Sequence, residues 1–138
     1  MDILLAQTAG FCMGVDLALQ KLDSLVEKER DSRPLFTLGP IIHNPQVLES
    51  YAERGVATVD RPEDIPDDAA AVIRAHGIPK EIEASLRDRG IRLIDATCPK
   101  VKTAQLLIQR HTKDGRSLLL YGEEHPEVVV RTGVVDCW

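Results

Sequence analysis

The chain has 138 residues, a formal net charge of −5, and 43% apolar, 28% charged and only 4% aromatic residues. A chain of this length can bury a core of Leu, Ile, Val and Ala side chains, so the composition argues against disordered, collagen-like and coiled-coil proteins. The excess of acidic residues disfavours a dedicated nucleic-acid binder, because it repels a phosphate backbone.

The amino-terminal residues show no targeting or membrane signal. Asp2 stands where a signal peptide has a basic residue, and the apolar run after it is too short for a membrane span. The cysteines, Cys12, Cys98 and Cys137, are odd in number, which argues against a disulfide framework. We expect a soluble cytoplasmic protein whose thiols are reduced or bind a metal, although a single cysteine is more often a small buried hydrophobe.

Short apolar runs bounded by turn residues predict the strands. Because the runs alternate with helices of ten or more residues, we expect right-handed βαβ crossovers and a parallel sheet covered by helices, so the fold class is α/β. The predicted strands are Ile3 to Ala6, Leu35 to Leu38, Val56 to Val59, Ala70 to Ile73, Arg92 to Ile94 and Leu118 to Tyr121.

Caps and turn residues predict the limits of the helices. Asn44 supplies an N-cap and Pro45 a first-turn proline, and glycines near positions 55 and 90 end two of the helices. The segment Asp60 to Asp68 is interpreted as a solvated loop. The four predicted helices run from Val15 to the charged stretch at 27–31, from Pro45 to near Gly55, from Pro79 to Gly90, and from Pro99 to Asp114 and Gly115.

Cysteines and histidines are concentrated in the loops that follow the predicted strands. In open parallel sheets the ligand lies beyond the carboxyl ends of the strands, so neighbouring strands would bring these side chains to one crevice. A single histidine in such a loop would be interpreted as structural. The residues in question are Cys12, His43, His76, Cys98 and His125.

Two of the loops place a thiol at the beginning of a helix. Cys12 lies between Gly10 and Gly14, and Cys98 directly precedes Pro99. The unsatisfied N–H groups and the macrodipole of a helix start favour thiolates and bound anions. Two thiolates in this setting suit a metal better than a core.

The three histidines of these loops are each next to a turn residue. Imidazoles at such an edge can donate hydrogen bonds to a phosphate. Glu127 follows His125 by two residues and is a candidate proton donor, because bound anions make a neighbouring carboxyl hold its proton more tightly. The alternative for Glu127 is an acidic residue in the first turn of a helix.

For three residues of the last predicted helix, the sequence indicates no specific function. His111 falls on its apolar stripe and would be packed or would cap the carboxyl end of the helix. Lys100 and Lys102 could assist an anion, but exposed lysines on a helix usually have no specific role.

Five motifs in this order and spacing closely resemble the 4-hydroxy-3-methylbut-2-enyl diphosphate reductases, iron-sulfur enzymes that close the methylerythritol phosphate route to isoprenoids. The resemblance extends from the first residues to about Val128. The motifs are Gly10 to Val15, Gly39 to Asn44, Ala75 to Gly77, Asp95 to Pro99 and His125 to Val128.

The resemblance implies a role for each candidate residue. Cys12 and Cys98 would be two of the three thiolate ligands of a [4Fe-4S] cluster. Glu127 would deliver a proton, and His43, His76 and His125 would bind the diphosphate of the substrate. The family reduces an allylic alcohol with two electrons from a ferredoxin or flavodoxin and releases water, which yields isopentenyl and dimethylallyl diphosphates.

The chain also departs from the family that it resembles. Family members are considerably longer, so the resemblance implies the N-terminal part of a three-domain pseudo-threefold fold, with a first α/β domain at 1–96 and an incomplete second domain at 97–138. The residues after Val128 no longer follow the family pattern, and Cys137 is therefore not assigned as a ligand. We expect this chain alone to be inactive.

Two other functions compete with the reductase. In the first, Cys12, Cys98 and a histidine hold zinc and Glu127 activates a water, although the Pro-Cys-x-x-Cys motif of zinc deaminases is missing. In the second, the chain is a non-catalytic fragment whose histidines bind a diphosphate and which assembles no cluster.

Overall fold

The structure is a computed structural model that describes residues 3–4, 9–113, 130–131 and 134–135. Four helices and four strands lie between residues 13 and 112, and they alternate except that a 3₁₀ turn alone joins the second strand to the third, which confirms the predicted α/β class. The helices are α1 (Met13–Glu29), α2 (Pro45–Glu53), α3 (Lys80–Asp88) and α4 (Pro99–Thr112). The strands are β1 (Leu35–Leu38), β2 (Val56–Val59), β3 (Ala70–Ile73) and β4 (Arg92–Asp95), followed by the short antiparallel pair β5 (Val130–Arg131) and β6 (Val134–Val135).

The four-stranded sheet is parallel, with the strand order β2-β1-β3-β4. Leu38 at the end of β1 is level with Val59 and with Ile73, and Ile73 is level with Asp95. All four strands therefore end at one edge, and neighbouring strands are about 4.8 Å apart. This level register positions the loops that carry the candidate residues.

Two apolar clusters cover the two faces of the sheet. On the first face, α1 and α2 pack on alternate residues of the strands, with Leu22 and Val72 completely buried. On the second face, α3 packs on the other residues through Leu86 and Ile78. β3 is buried along its whole length because it has a paired strand on each side and a helix on each face.

The predicted strand at the amino terminus is not borne out by the residues that the structure describes. Ile3 and Leu4 lie outside any strand and are 76% and 95% exposed. An apolar run becomes a buried strand only where a neighbouring strand supplies hydrogen-bond partners, and the four-stranded ladder pairs with neither residue. Leu5 and Ala6, and the predicted strand Leu118 to Tyr121, lie outside the described residues.

The segment Asp60 to Asp68 is more ordered than the prediction of a solvated loop. It contains a 3₁₀ turn at Pro62–Asp64, and Ile65 is completely buried under the second face of the sheet. Arg89, just after α3, donates to the carbonyl oxygens of Pro62 at 3.0 Å and of Ile65, and to Asp67 Oδ1 at 2.9 Å. One guanidinium therefore fixes the course of this loop.

Helix α4 lies on the surface, contrary to the predicted apolar stripe. None of its residues is buried, and Leu106 and Leu107 are 65% and 51% exposed. His111 is exposed in the last turn, where a basic side chain interacts favourably with the negative end of the helix dipole.

No helix in the described part of the chain has the length and apolarity needed to cross a membrane.

Candidate functional site

The loops that follow β1, β3 and β4 lie side by side at the carboxyl edge of the sheet, as predicted. His43 lies in the loop after β1, His76 in the turn after β3 and Cys98 in the loop after β4. Because these strands are neighbours that end level, the three loops leave the sheet about one strand spacing apart. Both histidines are exposed at this edge.

Backbone hydrogen bonds join the loop of Cys98 to the loop of His76. The N–H of Cys98 donates to the carbonyl oxygen of Ala75 at 2.8 Å, and the N–H of Ala96 donates to that of Ile73 at 3.0 Å. Ala75 directly precedes His76. The β3–β4 ladder is therefore extended past the ends of the strands, and it holds Cys98 next to the turn that carries His76.

Asp95 orders the same loop through its side chain. Its Oδ1 accepts from the N–H of Thr97 at 2.8 Å, and its Oδ2 accepts from Lys102 Nζ in the first turns of α4. Burial would raise the pKa of Asp95, but the hydrogen bonds from Lys102 and Thr97 outweigh it and lower the pKa below the usual range. Lys21 of α1 donates to the backbone oxygen of Asp95 at 2.5 Å. Lys102, interpreted from sequence as having no specific role, thus helps to hold the loop of Cys98.

Cys12 and Cys98 are the N-cap residues of α1 and α4, and both thiols are free. Gly14, in the first turn of α1, lies directly against Cys98. A Cβ atom built at Gly14 would be 2.7 Å from Cys98 Sγ and 3.0 Å from Cys98 Cβ. Since Cys12 is two residues from Gly14, its Cα lies within about 12 Å of Cys98 Sγ. The amino end of α1 and the thiol of Cys98 are thus neighbours.

The loop that carries His43 is fixed at both of its ends. On one side Asn44 caps α2, with its Oδ1 accepting from the N–H of Val47 at 3.2 Å. Helix α2 is attached to α1 because the Tyr51 hydroxyl donates to Asp23 at 2.9 Å, an interaction that Arg54 shares at 2.6 Å. Burial, with the Asp23 interaction second, raises the pKa of Tyr51 to about 12.

On the other side of the His43 loop, Gly39 has a φ of +72° and lies under the side chain of Arg74. Arg74 Nη1 would be 3.0 Å from a Cβ at Gly39. Burial lowers the pKa of Arg74, and the carboxylate of Asp60 opposes this effect. Gly39, Asp60 and Arg74 line a cleft of about 330 Å³ on the second face of the sheet, together with Gly77 and Ile78.

Gly14, Arg74 and Asp95 were not predicted as site residues. Gly14 and Asp95 lie within the motifs of Cys12 and Cys98, and Arg74 directly precedes the motif of His76. The one local signal for Arg74 was an arginine directly after the end of a predicted strand. The contact of Gly14 with a residue 84 positions away has no local signal at all.

Within residues 3–4 and 9–113, no three Cys, His, Asp or Glu side chains are grouped closely enough to hold one metal ion. The described part of the site therefore offers Cys98 beside the first turn of the helix that Cys12 caps, and no group of three donors. His125, Glu127 and Cys137 lie outside the described residues.

Comparison with known proteins gives matches along almost the whole chain. The model of the LytB protein family matches residues 3–137. A 4-hydroxy-3-methylbut-2-enyl diphosphate reductase of Solidesulfovibrio magneticus is 58% identical over 132 residues, which is 93% of this chain and 46% of that protein. A reductase of the same name from Caldanaerobacter subterraneus is 39% identical over 94% of this chain and 46% of that protein.

A solved structure of a reductase with the same name matches the fold of this chain. A structure of (E)-4-hydroxy-3-methyl-but-2-enyl diphosphate reductase, described as the terminal enzyme of the non-mevalonate pathway, matches with a TM-score of 0.78 and 39% identity. The match covers 91% of this chain and 44% of that one. The chain thus spans a little less than half the length of the proteins that it matches.

Proposed function

Since the chain belongs to the LytB family, we propose that it supplies the amino-terminal part of a 4-hydroxy-3-methylbut-2-enyl diphosphate reductase. The whole protein would reduce this allylic diphosphate to isopentenyl and dimethylallyl diphosphates. The observation that carries the proposal is the contact of Cys98 with the first turn of the helix that Cys12 caps, at the same sheet edge as the loops of His43 and His76.

The donor set fits one side of an iron-sulfur cluster. Cys12 and Cys98 would hold a [4Fe-4S] cluster as thiolates, and a third cysteine would come from outside this chain. When bound, the cluster would supply electrons, received from a ferredoxin or flavodoxin, and an iron able to act as a Lewis acid toward the substrate hydroxyl. Two free thiols, each at the start of a helix, support this assignment, because helix starts favour thiolates and Cys98 lies against the first turn of the helix that Cys12 caps.

The histidines would bind the diphosphate of the substrate. His43 and His76 are exposed on neighbouring loops, and their imidazole N–H groups could donate to phosphate oxygens together with His125. Glu127 would hold the proton that the leaving hydroxyl takes up. The backbone hydrogen bond from Cys98 to Ala75 supports the pairing of cluster and diphosphate sites, because it keeps the loops of Cys98 and His76 together.

We also place a domain boundary near residue 97, with a first α/β domain at 1–96 and the beginning of a second at 97–138. The sheet of β1 to β4 is complete by Asp95, with a helix on each face. Helix α4 follows it and buries none of its residues. This difference in packing supports a new structural unit at the start of α4.

A second candidate is a non-catalytic fragment that binds a diphosphate and holds no cluster. The observation in its favour is that, within the described ranges, no three potential metal ligands are grouped together. Both candidates assign diphosphate binding to the histidines, and only the first assigns cluster binding to the cysteines.

Iron and sulfide analysis after anaerobic reconstitution separates the candidates. We expect the unaltered chain to retain both elements, even if weakly, and Cys12→Ala and Cys98→Ala each to lose them. Cys137→Ala is the matched control and should load as the unaltered chain does. Zinc without sulfide, or equal loading of all variants, would contradict the cluster assignment.

Calorimetry with inorganic diphosphate tests the histidines separately. We expect His76→Ala to weaken binding about tenfold or more, as for the loss of a charge-assisted hydrogen bond. His111→Ala is the control, because His111 is exposed at the far end of α4. Equal binding by both variants would reject the anion site at this edge under either candidate.

A further inference from the structure

Gly14 is a glycine whose backbone does not need one. It lies in the first turn of α1, and its φ is not positive. Alanine is about 1 kcal/mol more favourable than glycine inside a helix, so the helix itself would favour a larger residue here. The glycines of the described ranges that do have a positive φ are Gly10, Gly39, Gly55, Gly77 and Gly90.

The side chain of Cys98 fills the space that a Cβ at Gly14 would need. The separations would be 2.7 Å to Sγ and 3.0 Å to Cβ, whereas nonbonded heavy atoms pack best at about 3.5–4.0 Å. Gly14 is also buried, and Cys98 is half-buried. A methyl group at this position would therefore require Cys98 or α1 to move.

Neither partner can move freely. Helix α1 is held to the first face of the sheet by Ala18 and Leu22, which are completely buried within two turns of Gly14. Cys98 is held by its N–H bond to Ala75 and by the hydrogen bonds of Asp95 in its loop. The least restrained atom in the contact is Cys98 Sγ, which can rotate about its own side-chain bond.

We propose that Gly14 is a positioning residue that sets how closely the Cys98 thiol approaches the amino end of α1, and thereby its spacing from Cys12. This inference rests on the proposed function in one respect only, namely that both thiols hold the cluster. The spacing itself is a property of the chain without any cluster. It can therefore be tested with and without iron.

The main test is Gly14→Ala, with Gln20→Ala on the exposed side of α1 as the control for helix propensity. In the iron-free, reduced chain, we expect Gly14→Ala to change the rate at which Cys98 is alkylated by iodoacetamide severalfold, measured by peptide mass spectrometry, and to leave the rate at Cys12 nearly unchanged. After reconstitution, we expect iron and sulfide retention to weaken about tenfold, as for other changes that misplace a metal ligand.

A rescue variant separates the contact from general damage to the fold. Cys98→Gly removes both atoms that lie within 3.0 Å of the added methyl group, and glycine is acceptable at an N-cap. We expect Gly14→Ala alone to lower the thermal unfolding midpoint by about 4 °C or more relative to Gln20→Ala, and the same substitution in the Cys98→Gly background to have little effect. If Gly14→Ala does not fold, folding of the double variant supports the proposal and its failure to fold overturns it.

The outcomes distinguish this proposal from the proposed function. If the unaltered chain holds no iron, the cluster assignment fails, and alkylation together with the rescue still decides whether Gly14 positions Cys98. If Gly14→Ala matches Gln20→Ala in alkylation, midpoint and iron retention, the positioning role is wrong while the cluster assignment stands.

Discussion

Helices α1 and α4 both begin directly after a cysteine, yet α1 is built into the core while α4 lies on the surface. Helix α1 buries Ala18, Leu22, Leu25 and Val26 against the sheet, and α4 buries no residue. The position of Cys12 therefore depends on side-chain packing along a whole helix. The position of Cys98 depends on hydrogen bonds in its own loop, which also hold the amino end of α4.

Leu22→Ala should have the largest effect, since it removes a completely buried side chain of α1. We expect a loss of about 3 kcal/mol in the free energy of unfolding, from the lost burial and the cavity left behind. Urea unfolding measures it. Leu22→Met keeps the volume and should lose less than about 1.5 kcal/mol. Equal losses for the two variants would show that α1 is not packed as tightly as described.

Glu29→Gln should have the next largest effect, at the other end of α1. The buried carboxylate of Glu29 contacts Arg92 Nη1 at 2.5 Å, at the start of β4, and lies 3.2 Å from Arg33 Nε without the alignment of a hydrogen bond. We expect a loss of about 1–2 kcal/mol in the free energy of unfolding. The loss is not larger because Arg92 is exposed enough to be hydrated when its carboxylate partner is removed. Glu27→Gln, on the exposed side, should leave the urea midpoint unchanged.

Asp95→Asn tests the attachment of α4 through its dependence on pH. The folded-state pKa of Asp95 lies below its ordinary value near 3.8, so its contribution to stability is complete at neutral pH and is lost as the pH falls below that value. We expect the unaltered chain to lose more stability than Asp95→Asn between about pH 4 and pH 2. Unfolding curves at each pH measure this difference. Asp88→Asn, exposed on α3, should follow the unaltered chain.

Leu106→Ala should have the smallest effect, because this side chain of α4 is 65% exposed. We expect a change within about 0.5 kcal/mol in the same urea experiment. A loss close to that of Leu22→Ala would mean that α4 is packed as tightly as α1, and the contrast between the two helices would no longer hold.

Much of the fold could be predicted because its signals are local. The bounds of α2 follow from the cap at Asn44, the proline at position 45 and the glycine at position 55. The level ends of β1, β3 and β4 follow from alternating strands and helices, and they bring the loops of the candidate residues to one edge as expected. The roles of Cys12, Cys98, His43 and His76 remain predictions.

The remaining features depend on contacts between distant parts of the chain. A glycine after a cysteine predicts nothing about a thiol that is 84 residues away, and an exposed lysine on α4 gives no sign of its carboxylate partner in β4. Ile65 is buried in a loop full of charged residues because α3 and β3 provide the apolar surface below it. Patterns within a short window carry no information about such packing.

The three hydrogen bonds of Arg89 have a consequence for how the chain meets proteases. The segment Asp60 to Asp68 is rich in exposed charged residues and offers a glutamate-specific protease an exposed Glu63. Cleavage requires a peptide segment to open into an extended form, and here the carbonyl groups of Pro62 and Ile65 are held by a single guanidinium. In the folded chain, we therefore expect the bond after Glu63 to resist a glutamate-specific protease for as long as Arg89 holds these two carbonyl groups.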